Sequence, residues 1–388
     1  SLDAVTYDAG PTDWLSVTLS ADIAPARLRL MPATAALTVA GVYRATVPVV
    51  STDADNSPRM VEVTLTVSAA PPSDPAIAVD DANIEASATG SQPDTRAVVT
   101  VTLTDEFGNP RVGDIVTFAP DDANDFWRVS TADPTASSVD TSDAAGVVQR
   151  VFYSTAAEPK LLTASIPTAG DKTVGVTVRA AAPASVTPSA GNNQTAPVGQ
   201  AVATDPSLTV TDGFGNPVGA QSVTFSTAGG GVVSPPSGAT NASGVVTVSS
   251  WTMGADGTEN GDGTFVNTLT ATAGTASANV SGLGIFTWSG NVSPIVAASC
   301  LGCHAAFTGP AALVNVMPTF APCNGTGPVR VVAGNAAGSL FYRKVSLAGD
   351  APLNCGGFMP GLNGLGNTVN DPELKIIRAW INNGAQNN

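Results

Sequence analysis

The chain has 388 residues, only 12% of them charged, and carries a formal net charge of −15. That length accommodates about two to four domains, and 39 Gly and 29 Pro are typical of short β-strands separated by turns. The acidity excludes the basic surface that nucleic-acid binding requires. No run approaches the roughly 18 consecutive apolar residues of a membrane span, so we expect none.

The charge is unevenly distributed along the chain. Residues 285–388 hold three acidic and five basic side chains, a net charge of +2, which leaves −17 for the remainder. All four cysteines also lie in this segment. The chain begins at Ser1 within a strand-like pattern, without an initiator Met or an apolar leader, so we expect a mature or truncated chain, which fits secretion.

Residues 1–68 alternate apolar and polar side chains in short runs. The run 61–67 places Val61, Val63, Leu65 and Val67 on one strand face, and the turn-rich stretch 53–58 separates it from the run 45–50. We expect a small β-sandwich over 1–68, and the alternative that its first strand is missing stays open. The pattern from Trp14 through 41–43 to Val67 resembles a BACON-type Ig-like module.

A Pro-rich linker, 69–75, precedes an internal repeat. The segment 104–110, TDEFGNP, recurs as TDGFGNP at 211–217, and VTF at 116–118 recurs at 223–225, both at an offset of 107. The offset falls to 98 for the strand led by Gly146 and Gly244, then returns to 107 at 162–164 and 269–271. The second copy therefore has one shorter loop and one insertion, which we assign to the acidic stretch 254–263.

The repeated turn motif resembles that of the invasin/intimin-type bacterial Ig-like domains. This resemblance implies two Ig-like β-sandwiches, at 69–182 and 183–283, and a stalk that holds something away from a cell surface. Two acidic groups are candidate calcium-binding sites, but their spacing is not that of an EF-hand loop. We favour the interpretation that both are solvated loops. They are Asp256, Glu259 and Asp262, and Asp121, Asp122 and Asp125.

The pattern changes to helical signals at about Gly282, and we place the start of the last domain at residue 284. Ser293 followed by Pro294 predicts a helix start with Ser293 as N-cap, and Asp371 followed by Pro372 predicts a closing helix. Leu374, Ile377, Trp380 and Ile381 form one apolar stripe of that helix, and Gly384 follows its end. The segment 284–388 has too few apolar side chains for a core, so we expect another group to fill its centre.

Residues 300–304, CLGCH, form a C-x-x-C-H sequence, the attachment signal of a c-type haem. We expect Cys300 and Cys303 to bond the porphyrin and His304 to bind the iron. Three alternatives compete. A zinc site usually uses two tight Cys pairs, whereas Cys323 and Cys355 are far apart in sequence. A thioredoxin-like pair needs a β-α-β setting, and a simple disulfide framework gives His304 no role.

His304 is the only histidine of the chain, so a second axial histidine is excluded and a methionine sulfur is the strongest candidate. Residues 293–384 resemble the class I-like c-type cytochromes in their order of motif helix, loops, Met-Pro loop and closing helix. The resemblance implies that Met359, in the loop 356–361, is the distal ligand. Met317 is the alternative ligand, and core packing beside Val314 and Val316 is its other interpretation.

Cys323 and Cys355 are then left over, and in an oxidising compartment an even remainder predicts a disulfide. It would close a loop of about 33 residues and stabilise the fold by roughly 3–4 kcal/mol. Leu340, Tyr342 and Phe358 are candidates to line the haem. Arg330 and Arg343 are candidates to pair with its propionates, with solvated arginines as the alternative.

The sequence thus predicts a multidomain protein: all-β Ig-like sandwiches in tandem, followed by a small, mainly α-helical cytochrome c domain at 284–388. We expect one covalent haem c and electron transfer to a redox partner protein or an extracellular acceptor, without a catalytic residue. Peroxidase activity would require Met359 to leave the iron. The location would be extracellular, cell-surface or periplasmic in a bacterium. The alternative is a structural or adhesive surface protein, or a filament subunit assembled through its Ig-like domains, in which the haem is accessory.

Overall fold

The structure, a computed structural model, describes residues 1–8, 10–167, 169–302, 304–319, 329–346 and 371–387. It is multidomain and mostly β, and it separates into two compact units, Ser1–Arg179 and Ala180–Asn388. The predicted domain boundaries at 68/69, 182/183 and 283/284 stay predictions. Within the described ranges, every helix is too short or too polar to cross a membrane.

The first unit contains fourteen strands within the part of the chain that is described. They are β1 (Thr6–Tyr7), β2 (Leu15–Leu19), β3 (Leu28–Pro32), β4 (Gly41–Val49), β5 (Arg59–Val67), β6 (Ala76–Val79), β7 (Asn83–Glu85), β8 (Ala97–Thr102), β9 (Ile115–Ala119), β10 (Asp125–Arg128), β11 (Val139–Thr141), β12 (Val147–Ser154), β13 (Pro159–Ile166) and β14 (Gly170–Arg179).

The N-terminal sandwich packs a sheet of order β1-β4-β5 against the hairpin β2-β3. The predicted alternation in β5 is confirmed, since its valines and Leu65 face inward and the intervening polar side chains are exposed. The inward face is nevertheless only half-buried, and β5 is an edge strand of its sheet. Fully buried side chains in this cluster are few: Trp14, Leu15, Leu37, Ala45 and Val47.

The following module is a sandwich of two sheets, β10-β12-β8-β6 and β11-β9-β13-β14-β7, with β7 and β14 parallel. Side chains alternate along β8 and β13, so that every second residue enters the core, as expected for strands with one buried face. Phe118, Trp127 and Phe152 fill the centre, with ring centroids about 5 Å apart.

The second unit contains ten further strands and three α-helices within the described residues. They are β15 (Ser185–Ala190), β16 (Gln194–Pro197), β17 (Ser207–Thr211), β18 (Ser222–Ala228), β19 (Val232–Ser234), β20 (Ser237–Ala239), β21 (Val245–Thr247), β22 (Ser250–Thr252), β23 (Phe265–Ala273), β24 (Ala276–Ile285), α1 (Ser293–Ser299), α2 (Leu340–Val345) and α3 (Asp371–Asn382).

The strand order of this module repeats that of the preceding one. Its larger sheets are β15-β17-β21 and β20-β18-β23-β24-β16, again with a parallel pair, β16 and β24, at the edge, while β19 and β22 pair in a separate two-stranded sheet. Both modules are therefore Ig-like β-sandwiches of one topology, in agreement with the sequence repeat.

The helices follow β24 directly. A single π-helical turn, Trp288–Val292, precedes α1, and Thr287 initiates it because its hydroxyl accepts a hydrogen bond from the Gly290 N–H at 3.1 Å. The helical conformation thus begins five residues before Ser293, so the prediction of Ser293 as N-cap is wrong. Asp371–Asn382 forms the predicted closing helix, with Ile377, Trp380 and Ile381 buried.

Candidate haem site

The first half of the C-x-x-C-H motif lies at the end of α1. Cys300 occupies the C-cap position, and its N–H donates to the Val296 carbonyl at 2.8 Å. The His304 N–H in turn donates to the Cys300 carbonyl at 2.9 Å, which extends the helical turn beyond α1. Cys300 and His304 are therefore held at a fixed spacing by the backbone, while Cys303 lies outside the described residues.

Cys300 is buried in an apolar cluster shared by α1, α3 and the segment between them. Burial, and secondly the negative charge of Glu373, raise the pKa of the Cys300 thiol to about 11. The thiol is thus protonated at neutral pH and packs among apolar neighbours. Trp288 and Trp380 belong to the same cluster, with ring centroids 5.3 Å apart.

His304 is half-buried and stacks on Phe307, with ring centroids 4.6 Å apart and an interplanar angle of 5°. The Arg330 guanidinium lies over the Phe307 ring, 5.3 Å from its centroid, and donates to the Ala312 carbonyl at 2.8 Å. Burial, followed by repulsion from Arg330, lowers the pKa of His304. The imidazole is therefore neutral at pH 7, the form in which it binds a metal.

The remaining predicted site residues divide into two groups. Leu340 is buried, and Tyr342 is half-buried against the apolar cluster of Cys300. Met317 is 37% exposed, so its interpretation as a core residue is wrong. The others lie outside the described residues: Cys303, Cys323, Cys355, Phe358 and Met359.

In the first acidic group Asp121 and Asp122 are exposed, whereas Asp125 is buried. Lys160, with a side chain 2% exposed, places its ammonium 2.6 Å from Asp122, 2.5 Å from Glu158 and 3.1 Å from the buried Asp125. Burial alone would lower the pKa of Lys160, but the three carboxylates raise it, so the ammonium stays charged and offsets part of their negative charge. Within the described part of the chain, no cluster of three or more Asp, Glu, His or Cys side chains could hold a metal ion.

The second acidic group is also engaged in the fold. Glu259 pairs with Arg378 of α3 at 2.5 Å, and Asp262 accepts hydrogen bonds from the N–H and hydroxyl of Thr264. Asp256 and Asp262 are exposed, in agreement with the solvated-loop interpretation, whereas Glu259 is half-buried and directs its charge at the C-terminal helix.

The repeated turn motif fixes the start of each Ig-like module. Asp105 accepts hydrogen bonds from the N–H groups of Phe107, Asn109 and Ala70, and Asp212 does the same for its own turn and for Ala181. In the first unit the Asn109 amide also reaches the preceding sandwich, donating to the Thr38 carbonyl at 2.8 Å and accepting from the Ala40 N–H at 2.9 Å. The motif therefore joins modules as well as turning the chain.

Sequence reasoning missed several aromatic residues of the site. Phe307 follows His304 by three residues and stacks on it, and Phe341 contacts Phe307 edge to face at 6.4 Å. The closeness of Phe307 to the motif was the available signal, whereas Phe341 lies far from it in sequence. Phe265 and Phe286 belong to the same cluster although both precede residue 293, and nothing local in the sequence indicates this.

The described residues fit a covalently attached haem. The donor set is one buried cysteine and one neutral histidine at the spacing of the attachment motif, and the side chains around Cys300 are apolar and aromatic, as a porphyrin face requires. Such a haem would be held by Cys300 and Cys303 and bound at iron by His304. It would supply one-electron redox chemistry.

No protein-family model matches the chain, and no curated protein matches it. Among solved structures, the chain is similar to the Yersinia pseudotuberculosis adhesin InvE, at 20% identity over 54% of this chain and with a TM-score of 0.27. It is similar to invasin, a bacterial integrin-binding protein, at 17% identity over 67% of this chain and with a TM-score of 0.39.

The Escherichia coli adhesin FdeC is also similar, at 13% identity over 73% of this chain and 86% of that structure, with a TM-score of 0.41. The chain covers 58% of the InvE structure and 48% of the invasin structure. Strand order and the internal repeat identify residues 76–179 and 185–285 as Ig-like modules.

Proposed function

We propose that the protein is an extracytoplasmic mono-haem c-type cytochrome that transfers electrons and carries its haem on tandem Ig-like modules. The observation that supports this most strongly is the C-x-x-C-H motif at the end of α1, with Cys300 inside an apolar cluster closed by α3. Cys300 lies among apolar and aromatic side chains that suit a porphyrin face, whereas a structural zinc site usually places its cysteines as two tight pairs.

The chain's own residues have distinct roles in this proposal. Cys300 and Cys303 anchor the group, and His304 donates its neutral imidazole. Met359 is proposed as the second axial ligand and the Cys323–Cys355 disulfide as a tether of its loop. Were His304 and Met359 both to bind the iron, it would have no open site for a substrate, so the proposed role is electron transfer rather than catalysis.

The test is the visible spectrum of the matured protein in its reduced and oxidised forms. We expect a low-spin c-type haem whose thioether-to-iron absorption band disappears in Met359→Leu and persists in the matched control Met317→Leu. Persistence of the band in Met359→Leu would overturn the assignment of Met359. A high-spin ferric spectrum, or turnover of peroxide, would overturn the electron-transfer role.

A second function, as a structural or adhesive surface protein, is favoured by the N-terminal sandwich. Its sheet ends in the edge strand β5, whose inward face is only half-buried, and such an edge accepts a further strand. Sedimentation and electron microscopy separate the two functions. Rods or fibres formed by the purified chain support a filament subunit, and monomers at all concentrations contradict it.

A further inference from the structure

The insertion 254–263 of the second Ig-like module, here called the insertion loop, is held in place by hydrogen bonds at both of its ends. Gly254 and the fully buried Asn267 exchange two hydrogen bonds, at 2.8 and 3.0 Å, which fix the base of the loop on β23. Its other end closes as a tight turn, in which Asn260 and Thr264 pair through backbone and side chain. The corresponding connection of the first module, between β12 and β13, is only the short stretch 155–158.

The insertion loop contacts α3 through both charge and backbone. Glu259 pairs with Arg378, and the Lys375 ammonium donates to the Ala255 carbonyl at 2.7 Å while lying 4.6 Å from the centroid of Phe265. Gly263 has a φ of +81°, and a Cβ at this position would lie 2.1 Å from the Ala379 carbonyl oxygen. The helix is therefore seated directly on the loop backbone, where only glycine fits.

The same contact continues into the apolar core. Phe265 is fully buried and meets Phe286 edge to face at 5.2 Å, and both belong to the cluster that contains Cys300 and Trp380. The cluster thus crosses the predicted boundary at 283/284. Opposite net charges on the two sides of that boundary, as the sequence shows, favour the same association.

We propose that the insertion loop is the docking surface for α3, and that the second Ig-like module and the C-terminal segment form one cooperative unit. The module supplies one wall of the cluster around Cys300, so Gly263, Glu259 and Phe265 act as positioning residues for that site. The docking concerns contacts of the chain alone and holds with or without haem. Its consequence, that haem attachment stabilises the Ig-like module, rests on the proposed function.

The test is hydrogen–deuterium exchange of the full chain, measured on peptides from α3 and β23 during urea titration. In the unsubstituted protein, we expect both sets of peptides to lose protection in one transition. Gly263→Ala should speed exchange in α3 by about tenfold or more, because the methyl group cannot fit beneath the helix. The matched control is Gly199→Ala, with a φ of +83° and nothing within 4 Å of its Cβ.

A second comparison covers the case in which Gly263→Ala does not fold. Glu259→Gln, Arg378→Gln and the double variant form a cycle, and docking predicts that the double variant exchanges no faster in α3 than the faster single variant. Equal α3 exchange in Gly263→Ala and Gly199→Ala, fully additive effects in the cycle, or separate transitions for α3 and β23 would each overturn the proposal. A colourless protein with intact docking would instead contradict only the proposed function.

Discussion

Replacement of Asn109 by alanine tests whether the repeated turn motif joins successive modules. The Asn109 side chain is buried and makes three hydrogen bonds, to Thr38, Ala40 and Asp105. Two of them reach the preceding sandwich. A net contribution of about 0.5–1.5 kcal/mol for each bond gives about 1–3 kcal/mol for the contact between the modules.

The amide of Ala40 reports this contact directly, because its N–H donates to the Asn109 Oδ1 atom at 2.9 Å. A loss of about 1–3 kcal/mol in local stability corresponds to roughly 5- to 150-fold faster exchange. We therefore expect hydrogen exchange in the segment 38–40 of Asn109→Ala to accelerate by that factor, while β8 and β12 keep their protection.

The control is Gln149→Ala, which removes an exposed 3.1 Å hydrogen bond to Thr100 within the same module. It should leave exchange at 38–40 unchanged. If Asn109→Ala also leaves this segment unchanged, the side chain does not hold the two sandwiches together and the motif is only a turn.

Three further predictions concern stability. Lys160→Met leaves the buried Asp125 carboxylate without its cation, so the free energy of unfolding of β13 should fall by about 3–5 kcal/mol. Hydrogen exchange during urea titration measures this loss, and adding Asp125→Leu to the variant should largely restore it. Unchanged unfolding would contradict the buried ion pair. Although burial opposes it, hydrogen bonds from Asn109, Ala70 and Phe107 lower the pKa of Asp105 to about 2, from 3.8. Its stabilisation is present above pH 4 and lost as pH falls through about 2, so Asp105→Asn should flatten the acid limb of a stability–pH profile, and an unaltered limb would argue against this. Trp380→Ala leaves a cavity at a fully buried position beside Trp288, so the free energy of unfolding, measured by thermal unfolding, should fall by about 3–5 kcal/mol. If Trp380→Ala costs less than Phe214→Ala, which removes an exposed ring, Trp380 is not a core residue.

Local periodicity was sufficient to predict the strands and the closing helix. The alternation at 61–67 and the stripe of Ile377, Trp380 and Ile381 both follow from burial of one face of an element. The repeat predicted that two modules share one topology, because equal sequence patterns at one offset fold alike. The observed strand orders agree.

Contacts between residues distant in sequence could not be predicted in the same way. Glu259 and Arg378 are separated by 119 residues, and Lys160 lies 38 residues from Asp122, so no local pattern reveals these ion pairs. The prediction of Ser293 as the N-cap was wrong because the Thr287 side chain starts the helical turn earlier in the chain. The interpretation of Met317 failed because two neighbouring valines do not reveal which way an irregular segment faces.

The proposed bonding of one haem to the chain through Cys300 and Cys303 is tested most directly by the mass of the matured protein under denaturing conditions. The account predicts a mass equal to the chain plus one haem, with the visible absorption retained on the peptide that contains 300–304 and lost in Cys300→Ser with Cys303→Ser. A matured, colourless protein with the mass of the bare chain would contradict it.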